Sequence, residues 1–374
     1  MGPLHGITVI ELAAIGPVPM CGMLLGDLGA AVIRIDRPGG STDPLRSPMG
    51  RNRRSVAVDL KRPDGAAVVL RLVAAADVLI EGMRPGVAER LGVGPEQCHG
   101  VNPGLVYGRM TGWGQEGPLA VTAGHDIDYI AVAGALHAMG DAASPPQPPL
   151  NLVGDFGGGA LYLACGVLAA LLERTRSGTG QVVDAAMIDG VSSMLTMFHE
   201  LAAMGLWTER RGDNLLDGGA PFYTTYRTAD GRFVAVGALE PQFFAALLDG
   251  LGLEGDAPVQ LDRSGWPEMR RRFAARFAQS TLAQWTETFA GTDACVAPVL
   301  TMSEVAQHPH TVARGGFIDV GGVLQTAPAP RFSRSRPDPP TAPVAPGSDT
   351  DAVLSASGFT ATEIAALRAA GTVA

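Results

Sequence analysis

A glycine, a histidine and an aspartate stand together at positions 124 to 126 of the 374-residue chain. Apolar side chains follow them at helical spacing, so His125 and Asp126 are predicted in the first turn of a helix. Backbone N–H groups are unpaired at a helix start, and the helix dipole opposes protonation of an imidazole there. His125 can therefore act as a neutral base, with a capping or core histidine as the alternative.

Two further acids stand at predicted helix starts. Asp155 lies in the run GDFGGG before an apolar helical segment, and its glycines would let a ligand or another backbone come close. Asp155 is either a helix N-cap or a catalytic carboxylate. Glu240 follows an apolar strand pattern and precedes Pro241, a residue suited to the first helical position. A favourable charge at a helix N-terminus is the alternative to a catalytic role for Glu240.

Basic side chains gather in the N-terminal region of an acidic chain, whose net charge is −9. Arg51, Arg53, Arg54 and Lys61 beside a predicted βαβ unit suggest a site for a phosphate-bearing cofactor, with a solvated loop as the alternative. Lys61 is the only lysine in the sequence, and it lacks the glycine frame of a G-x-x-x-x-G-K-[ST] phosphate loop.

The four cysteines are widely scattered and form no C-x-x-C pair. We interpret them as reduced thiols and expect a cytoplasmic protein without a secretion signal. His308 and His310 do not have the spacing of a zinc site with Cys295, so no metal is expected. The acidic charge argues against nucleic acid or an anionic membrane as the principal partner. The apolar stretch Phe156 to Leu172 is short for a membrane span and is predicted to be a buried helix.

The elements around these residues alternate between strand and helix. Apolar runs such as ITVIEL, AVIRI, SVAVDL, ADVLIEG and LVYGRMT are separated by helical patterns up to about residue 111. This alternation predicts an α/β fold with a Rossmann-like parallel sheet and right-handed crossovers. A turn cluster near residues 217–220 then introduces a hairpin signal, two alternating runs separated by Ala229-Asp230-Gly231. We predict a large α/β domain over residues 1–215, a smaller α+β domain over 216–320, and a return of 321–374 to the large domain.

Taken together, the segments resemble the family III CoA-transferase (CaiB/BaiF-like) superfamily and, within it, the α-methylacyl-CoA racemases. The likeness covers nearly the whole chain. The segments that carry it include ITVIELAAIGPVPMCGMLLGDLGAAVIRIDRP, VDLKRPDG, GHDIDYI, VGDFGGGALYL, GQVVDAAMIDG and GALEPQFF. The racemase branch is indicated by GHDIDY and GALEPQFF. The resemblance implies an interlocked homodimer in which each chain threads through an opening in its partner.

The resemblance also implies roles for individual residues. His125 and Asp155 match the catalytic histidine and aspartate, and Glu240 matches a glutamate that supports the histidine across the dimer. Asp126 matches the residue whose backbone N–H binds the thioester oxygen. The implied CoA-binding residues are Arg37 near the adenine, Arg90 and Lys61 near the phosphates, and Arg54 and Arg84.

The residues themselves support that chemistry. Inverting a carbon beside a thioester requires removal of its proton on one face and return of a proton on the other, so two bases must flank it. An imidazole and a carboxylic acid fit this task, and a helix N-terminus can stabilise the enolate oxygen without a metal or any cofactor beyond the acyl-CoA substrate. The alternatives are a CoA transferase, in which Asp155 forms an acyl anhydride, and a non-catalytic acyl-CoA binding protein.

Overall fold

The computed structural model describes residues 1–39, 48–255 and 258–374. The chain forms two compact units. The first unit comprises Met1–Ala133, Leu150–Met194 and Ala313–Ala374, and the second comprises Gly134–Pro149 and Leu195–Val312. The predicted domain limits at residues 215 and 320 stay predictions.

A six-stranded parallel sheet lies at the centre of the first unit. Its strands are Thr8–Leu12 (β1), Ala31–Asp36 (β2), Arg53–Ala57 (β3), Val78–Glu81 (β4), Val106–Thr111 (β5) and Val182–Ala186 (β6). They are ordered β3-β2-β1-β4-β5-β6, with every neighbouring pair parallel. This is the strand order of a doubly wound nucleotide-binding sheet. The predicted α/β class with a parallel sheet is confirmed.

Helices cover both faces of this sheet. They include Pro17–Asp27 (α1), Gly65–Val73 (α2), Val87–Arg90 (α3), Pro95–Val101 (α4), Asp126–Val132 (α5), Tyr162–Ser177 (α6) and Met187–Met194 (α7). Successive strand residues point to opposite sides, so Ile10 and Leu79 join one core cluster while Val9 and Val78 join the other. Burial on both faces explains why the strands read as continuous apolar runs.

The helix that carries Asp155 has an unusual start. Leu152–Leu161 is a π-helix, and it continues directly into α6. The joined stretch Leu152–Ser177 is long and apolar enough to cross a membrane. Its most apolar 18-residue window has a mean hydropathy of 1.6, and 44% of that window is buried in the protein. Leu163 and Val167 are fully buried, but Leu172 is 60% exposed. The prediction of a buried helix is therefore correct for one face only.

The second unit has its own small sheet and core. Its antiparallel strands Tyr223–Arg227 (β7), Phe233–Gly237 (β8) and Val296–Pro298 (β9) are ordered β7-β8-β9. Its helices include Thr196–Ala203 (α8), Pro241–Leu251 (α9), Trp266–Phe277 (α10), Leu282–Thr288 (α11), Met302–Val305 (α12) and Pro309–Ala313 (α13). The last residue of α13, Ala313, already belongs to the first unit. The predicted hairpin around Asp230 is confirmed as β7–β8.

The C-terminal segment belongs to the first unit. It contains the antiparallel pair Phe317–Val320 (β10) and Val323–Thr326 (β11), and the helices Thr350–Ala356 (α14) and Ala361–Ala369 (α15). Val373 forms an antiparallel bridge with Val58, beyond the end of β3. Backbone pairing therefore ties the last residues to the edge of the parallel sheet.

Candidate active site

A cleft of about 540 Å³ opens in the first unit at the carboxyl edge of the parallel sheet. Residues 15–18 of its lining follow β1, residues 82–85 follow β4, and residues 110–113 lie at the end of β5. Strands β2 and β3 follow β1 on one side of it, and β5 and β6 follow β4 on the opposite side. The cleft therefore lies between β1 and β4, where the strand order reverses. Open α/β sheets bind ligands at this point.

Both predicted proton-transfer residues line this cleft. The lining contains His125 and Asp155, together with Tyr129, Asn151, Arg84 and several methionines. His125 and Asp155 are 30 residues apart in sequence, and each comes from a different helix start. The structure therefore brings an imidazole and a carboxylate to the same opening.

His125 occupies the N-cap position of α5, one residue before the helix proper. Its side chain is exposed. The His125 backbone N–H donates to the Asp128 carboxylate at 2.9 Å, which orients the residue at the helix start. The first N–H groups of α5, beginning with that of Asp126, have no acceptor within the helix. N–H groups in this position are suited to an anionic group.

Asp155 lies in the π-helix and is half-buried. Its Oδ2 accepts a hydrogen bond from the Asn151 side-chain amide at 3.0 Å. Gly16, the N-cap residue of α1, has φ of 69°, and a Cβ at this position would lie 3.1 Å from the same oxygen. Glycine at position 16 therefore allows both the backbone conformation and the close approach of the Asp155 carboxylate.

Asp126 is buried, with 8% of its surface exposed. Its Oδ1 accepts a hydrogen bond from the Asp155 backbone N–H at 2.6 Å. Burial raises the pKa of the Asp126 carboxyl, and the negative charge of Asp155 adds to the rise, while the backbone hydrogen bonds from Asp155 and Gly154 oppose it. The Asp126 side chain thus connects the start of α5 to the turn that carries Asp155.

Glu240 lies in the second unit, where it is exposed at the N-cap of α9. Pro241 occupies the first turn of that helix, as predicted. The Cys295 thiol lies near Glu240: partial burial and then the Glu240 charge raise the pKa of this thiol.

The five predicted CoA-binding residues are all exposed side chains of the first unit. Arg84 lines the cleft itself. Arg37 follows the last residue of β2, and Lys61 lies beyond the end of β3, both at the carboxyl edge of the sheet. Arg54 lies within β3, 3.8 Å from the Asp349 carboxylate, and Arg90 ends α3.

Two other arginines of the predicted phosphate site have a different role. Arg51 is 2% exposed and its guanidinium donates to the Asp27 carboxylate at 2.5 and 2.9 Å. Arg53 is 3% exposed and pairs with Glu11 at 2.8 Å. The expectation that they bind a phosphate is wrong, because buried guanidinium groups already paired with carboxylates are not available to a ligand.

A further buried acid lies behind the cleft. Glu81, the last residue of β4, is fully buried, accepts from the Met83 backbone N–H at 2.6 Å and pairs with Arg109 at 3.2 Å. Burial raises its pKa to about 7, although Met83 and Arg109 oppose the rise. Glu81 immediately precedes the cleft residues that follow β4.

Sequence reasoning missed two side chains of the cleft. Asn151 holds the Asp155 carboxylate, and Tyr129 donates its hydroxyl proton to the Gly124 carbonyl while its ring packs edge-on against Trp113 at 4.8 Å. Asn151 stands four residues before Asp155, and Tyr129 four residues after His125. Helical spacing from each candidate base is the signal that could have identified them.

A protein-family model described as CoA-transferase family III matches residues 4–350. The chain belongs to CoA-transferase family III. Among curated members, it is 49% identical over 365 residues to alpha-methylacyl-CoA racemase from Mus musculus, a match that covers 96% of this chain and 95% of that protein. It is 47% identical over 372 residues to alpha-methylacyl-CoA racemase from Homo sapiens, with the same two coverages.

A solved structure of the family has the same fold. The crystal structure of a CAIB/BAIF family protein from Brucella suis matches with a TM-score of 0.80 and 27% identity, over 95% of this chain and 99% of that chain. The resemblance to family III CoA transferases inferred from the sequence segments is confirmed.

Proposed function

We propose that this member of CoA-transferase family III is an α-methylacyl-CoA racemase, an isomerase that inverts the α-carbon of 2-methyl-branched acyl-CoA thioesters. The observation that carries the proposal is the match to two alpha-methylacyl-CoA racemases at 49% and 47% identity over 96% of the chain. The cleft supports it, because an imidazole and a carboxylate line the same opening.

In the proposed mechanism, His125 and Asp155 are the two bases. One removes the α-proton from one face of the substrate carbon, and the conjugate acid of the other delivers a proton to the opposite face. For the opposite enantiomer the two exchange roles. No electron leaves the substrate, so the reaction needs no redox partner, and we propose no cofactor besides the CoA that the substrate carries.

The intermediate of this reaction is an enolate whose oxygen carries the developing charge. We assign its stabilisation to the Asp126 backbone N–H at the start of α5, since a helix N-terminus provides fixed donors and a favourable dipole. Such preorganised donors lower the barrier without reorganising during the reaction. His125, one residue earlier, then stands beside the reacting carbon.

The CoA part of the substrate is assigned to the carboxyl edge of the sheet. Arg84 in the cleft and the exposed Arg37 and Lys61 supply positive charge at that edge for the adenine-side phosphates and the pyrophosphate. The exposed Arg54, near the start of β3, and Arg90, at the end of α3, are also proposed to bind CoA. Arginine suits this role because its planar fork binds phosphate oxygens in pairs. We assign the apolar acyl chain to the part of the cleft lined by methionine side chains.

We further propose the interlocked homodimer, with Glu240 of one chain supporting His125 of the other. Apolar surface in both units supports an assembly that covers it. In the first unit, Leu161 is 52% and Leu172 60% exposed. In the second unit, α8 contains no buried residue, and its apolar Met197 is 47% exposed.

A cytoplasmic location is proposed from the cysteines. Cys21 and Cys98 are buried free thiols, and Cys165 and Cys295 are exposed free thiols. Exposed unpaired thiols are typical of a reducing compartment. The proposed partner of the enzyme is an acyl-CoA substrate, with neither nucleic acid nor membrane required.

The activity is tested by incubating one enantiomer of a 2-methylacyl-CoA with the protein, with and without a free carboxylic acid as acceptor. We expect a racemic product at equilibrium and no dependence on the acceptor. Transfer of CoA to the acceptor with retained configuration would show instead that the protein is a family III CoA transferase that uses Asp155 as its nucleophile.

A further inference from the structure

The side chain of Asp126 makes a contact that its proposed backbone role does not use. Its Oδ1 accepts the Asp155 backbone N–H at 2.6 Å, from the first turn of the π-helix. The Gly154 N–H interacts with the same carboxylate. One carboxylate at the start of α5 therefore accepts a hydrogen bond from the backbone of the segment that carries the second proposed base.

Gly154 permits this contact because it has no side chain. A Cβ at position 154 would lie 2.4 Å from Asp126 Oδ1 and 2.7 Å from its Cγ. These separations are far shorter than van der Waals contact, so any side chain at position 154 would push the carboxylate away. The pair thus consists of a carboxylate acceptor at the start of α5 and a residue without a side chain at the start of the π-helix.

The burial of Asp126 restricts how the contact can form. With 8% of the residue exposed, the carboxylate has little water to replace a lost partner. Its Oδ2 is buried and has no hydrogen-bond partner among the residues that the structure describes. The Asp155 N–H is therefore the hydrogen bond that compensates in part for removing this acid from water.

We propose that the Asp126 side chain is a positioning residue that sets the location of Asp155 relative to His125. Asp126 adjoins His125 in the chain and bonds directly to the backbone of Asp155, so this single residue links the two bases. The proposal rests on the proposed racemase function. Misplacement of a reacting group by about 1 Å can lower a rate by roughly 10²-fold.

The test compares Asp126→Ala with Asp126→Asn, whose amide oxygen can still accept the Asp155 N–H. Each purified variant is incubated in D₂O with each enantiomer of a 2-methylacyl-CoA, and initial exchange of the α-proton is measured separately for the two. In Asp126→Ala we expect kcat to fall about 10²-fold for the enantiomer deprotonated by Asp155, with a smaller loss for the other and KM changed by less than about threefold. Asp126→Asn should recover most of the rate.

Gly154→Ala is the reciprocal variant: it retains Asp126 in the sequence but displaces its carboxylate, and it should produce the same asymmetric loss. Equal losses for both enantiomers in Asp126→Ala, or no recovery in Asp126→Asn, would overturn the positioning role, since general destabilisation slows both directions alike. Thermal unfolding of each variant identifies misfolded protein. If Asp126→Ala does not fold, the rates of Gly154→Ala for the two enantiomers test the positioning role instead. Wild-type protein that exchanges no α-proton would refute the racemase function itself, an outcome distinct from failure of this inference.

Discussion

The cleft and the buried ion pairs of the first unit hold charge in opposite ways. In the cleft, His125 is exposed and Asp155 half-buried, and both residues line the opening. In the ion pairs, Arg51 and Arg53 are 2% and 3% exposed, and each is bonded to its own carboxylate.

This difference separates two uses of a charged residue. A group that must exchange protons with a substrate needs access and incomplete pairing, whereas a guanidinium removed from water needs its hydrogen bonds satisfied. Arg53 also connects the two regions, because it donates to the backbone carbonyls of Met49 and Pro19, and Met49 lines the cleft. The Arg53–Glu11 pair therefore helps to hold one residue of the cleft lining in position.

The largest effects are expected from the two proposed bases. His125→Gln and Asp155→Asn should each lower kcat for racemisation by about 10²- to 10⁴-fold, because each removes one proton-transfer group. The free energy of unfolding in urea should change by less than about 0.5 kcal/mol for His125→Gln, since its side chain is exposed. His5→Gln, an exposed histidine elsewhere in the first unit, is the control and should retain wild-type activity. An equally inactive control would contradict the assignment.

Arg51→Ala should have the next largest effect, and its effect should be on stability. Removing this guanidinium leaves the Asp27 carboxylate buried without its charged partner, a change expected to cost about 3 to 5 kcal/mol of unfolding free energy. The measurement is urea unfolding, with racemisation assayed at a temperature where the variant is folded. Full stability in Arg51→Ala would mean that this ion pair contributes little to the fold.

Glu81 tests whether a buried acid beside the cleft behaves like the ion pairs. Because burial raises its pKa from 4.5 to about 7, the folded state retains its proton where the unfolded state has lost it. The wild-type protein should therefore lose up to about 3 kcal/mol of stability as the pH rises from 4.5 to 7.

The contribution of Glu81 is isolated by comparing wild type with Glu81→Gln in urea unfolding across that pH range. Glutamine does not titrate, so the stability difference between the two proteins should shift in favour of the variant as the pH rises. A shift in favour of the wild type would show that Arg109 dominates and holds the pKa of Glu81 low.

The smallest effect is expected at Gly16. Gly16→Ala should cost about 1 to 2 kcal/mol of stability because its φ is 69°, and should lower kcat roughly tenfold because the new Cβ would lie 3.1 Å from the Asp155 carboxylate. Gly6→Ala is the matched control, since Gly6 has φ of 90° and none of the described residues apart from its chain neighbours lies within 4 Å of its Cβ position. It should lose comparable stability and keep its kcat; a similar kcat loss in both would remove the connection to Asp155.

Much of the fold was predictable because parallel strands buried on both faces leave continuous apolar runs. The runs containing Ile10 and Leu79 became β1 and β4 for this reason. The start of β3 was not predictable in the same way, because an arginine such as Arg53 is expected at the surface. Its burial depends on the ion pair with Glu11, which the local sequence does not indicate.

The site was predictable at His125 and Asp155 as candidates, because helix starts with glycine neighbours have a sequence signature. Their meeting in one cleft depends on where the strand order reverses, and that follows from the sheet topology. The bond from Asp126 to the Asp155 backbone joins residues 29 positions apart and needs a π-helical turn, which no local pattern indicates.

The most direct test of the two-base account measures α-proton exchange in D₂O for separated enantiomers with wild type, His125→Gln and Asp155→Asn. The account predicts exchange of both enantiomers by wild type. It also predicts a crossed pattern in the variants, each of which retains initial exchange for only the enantiomer whose proton its remaining base removes. Equal exchange of both enantiomers in both variants, or no exchange by wild type, would contradict it.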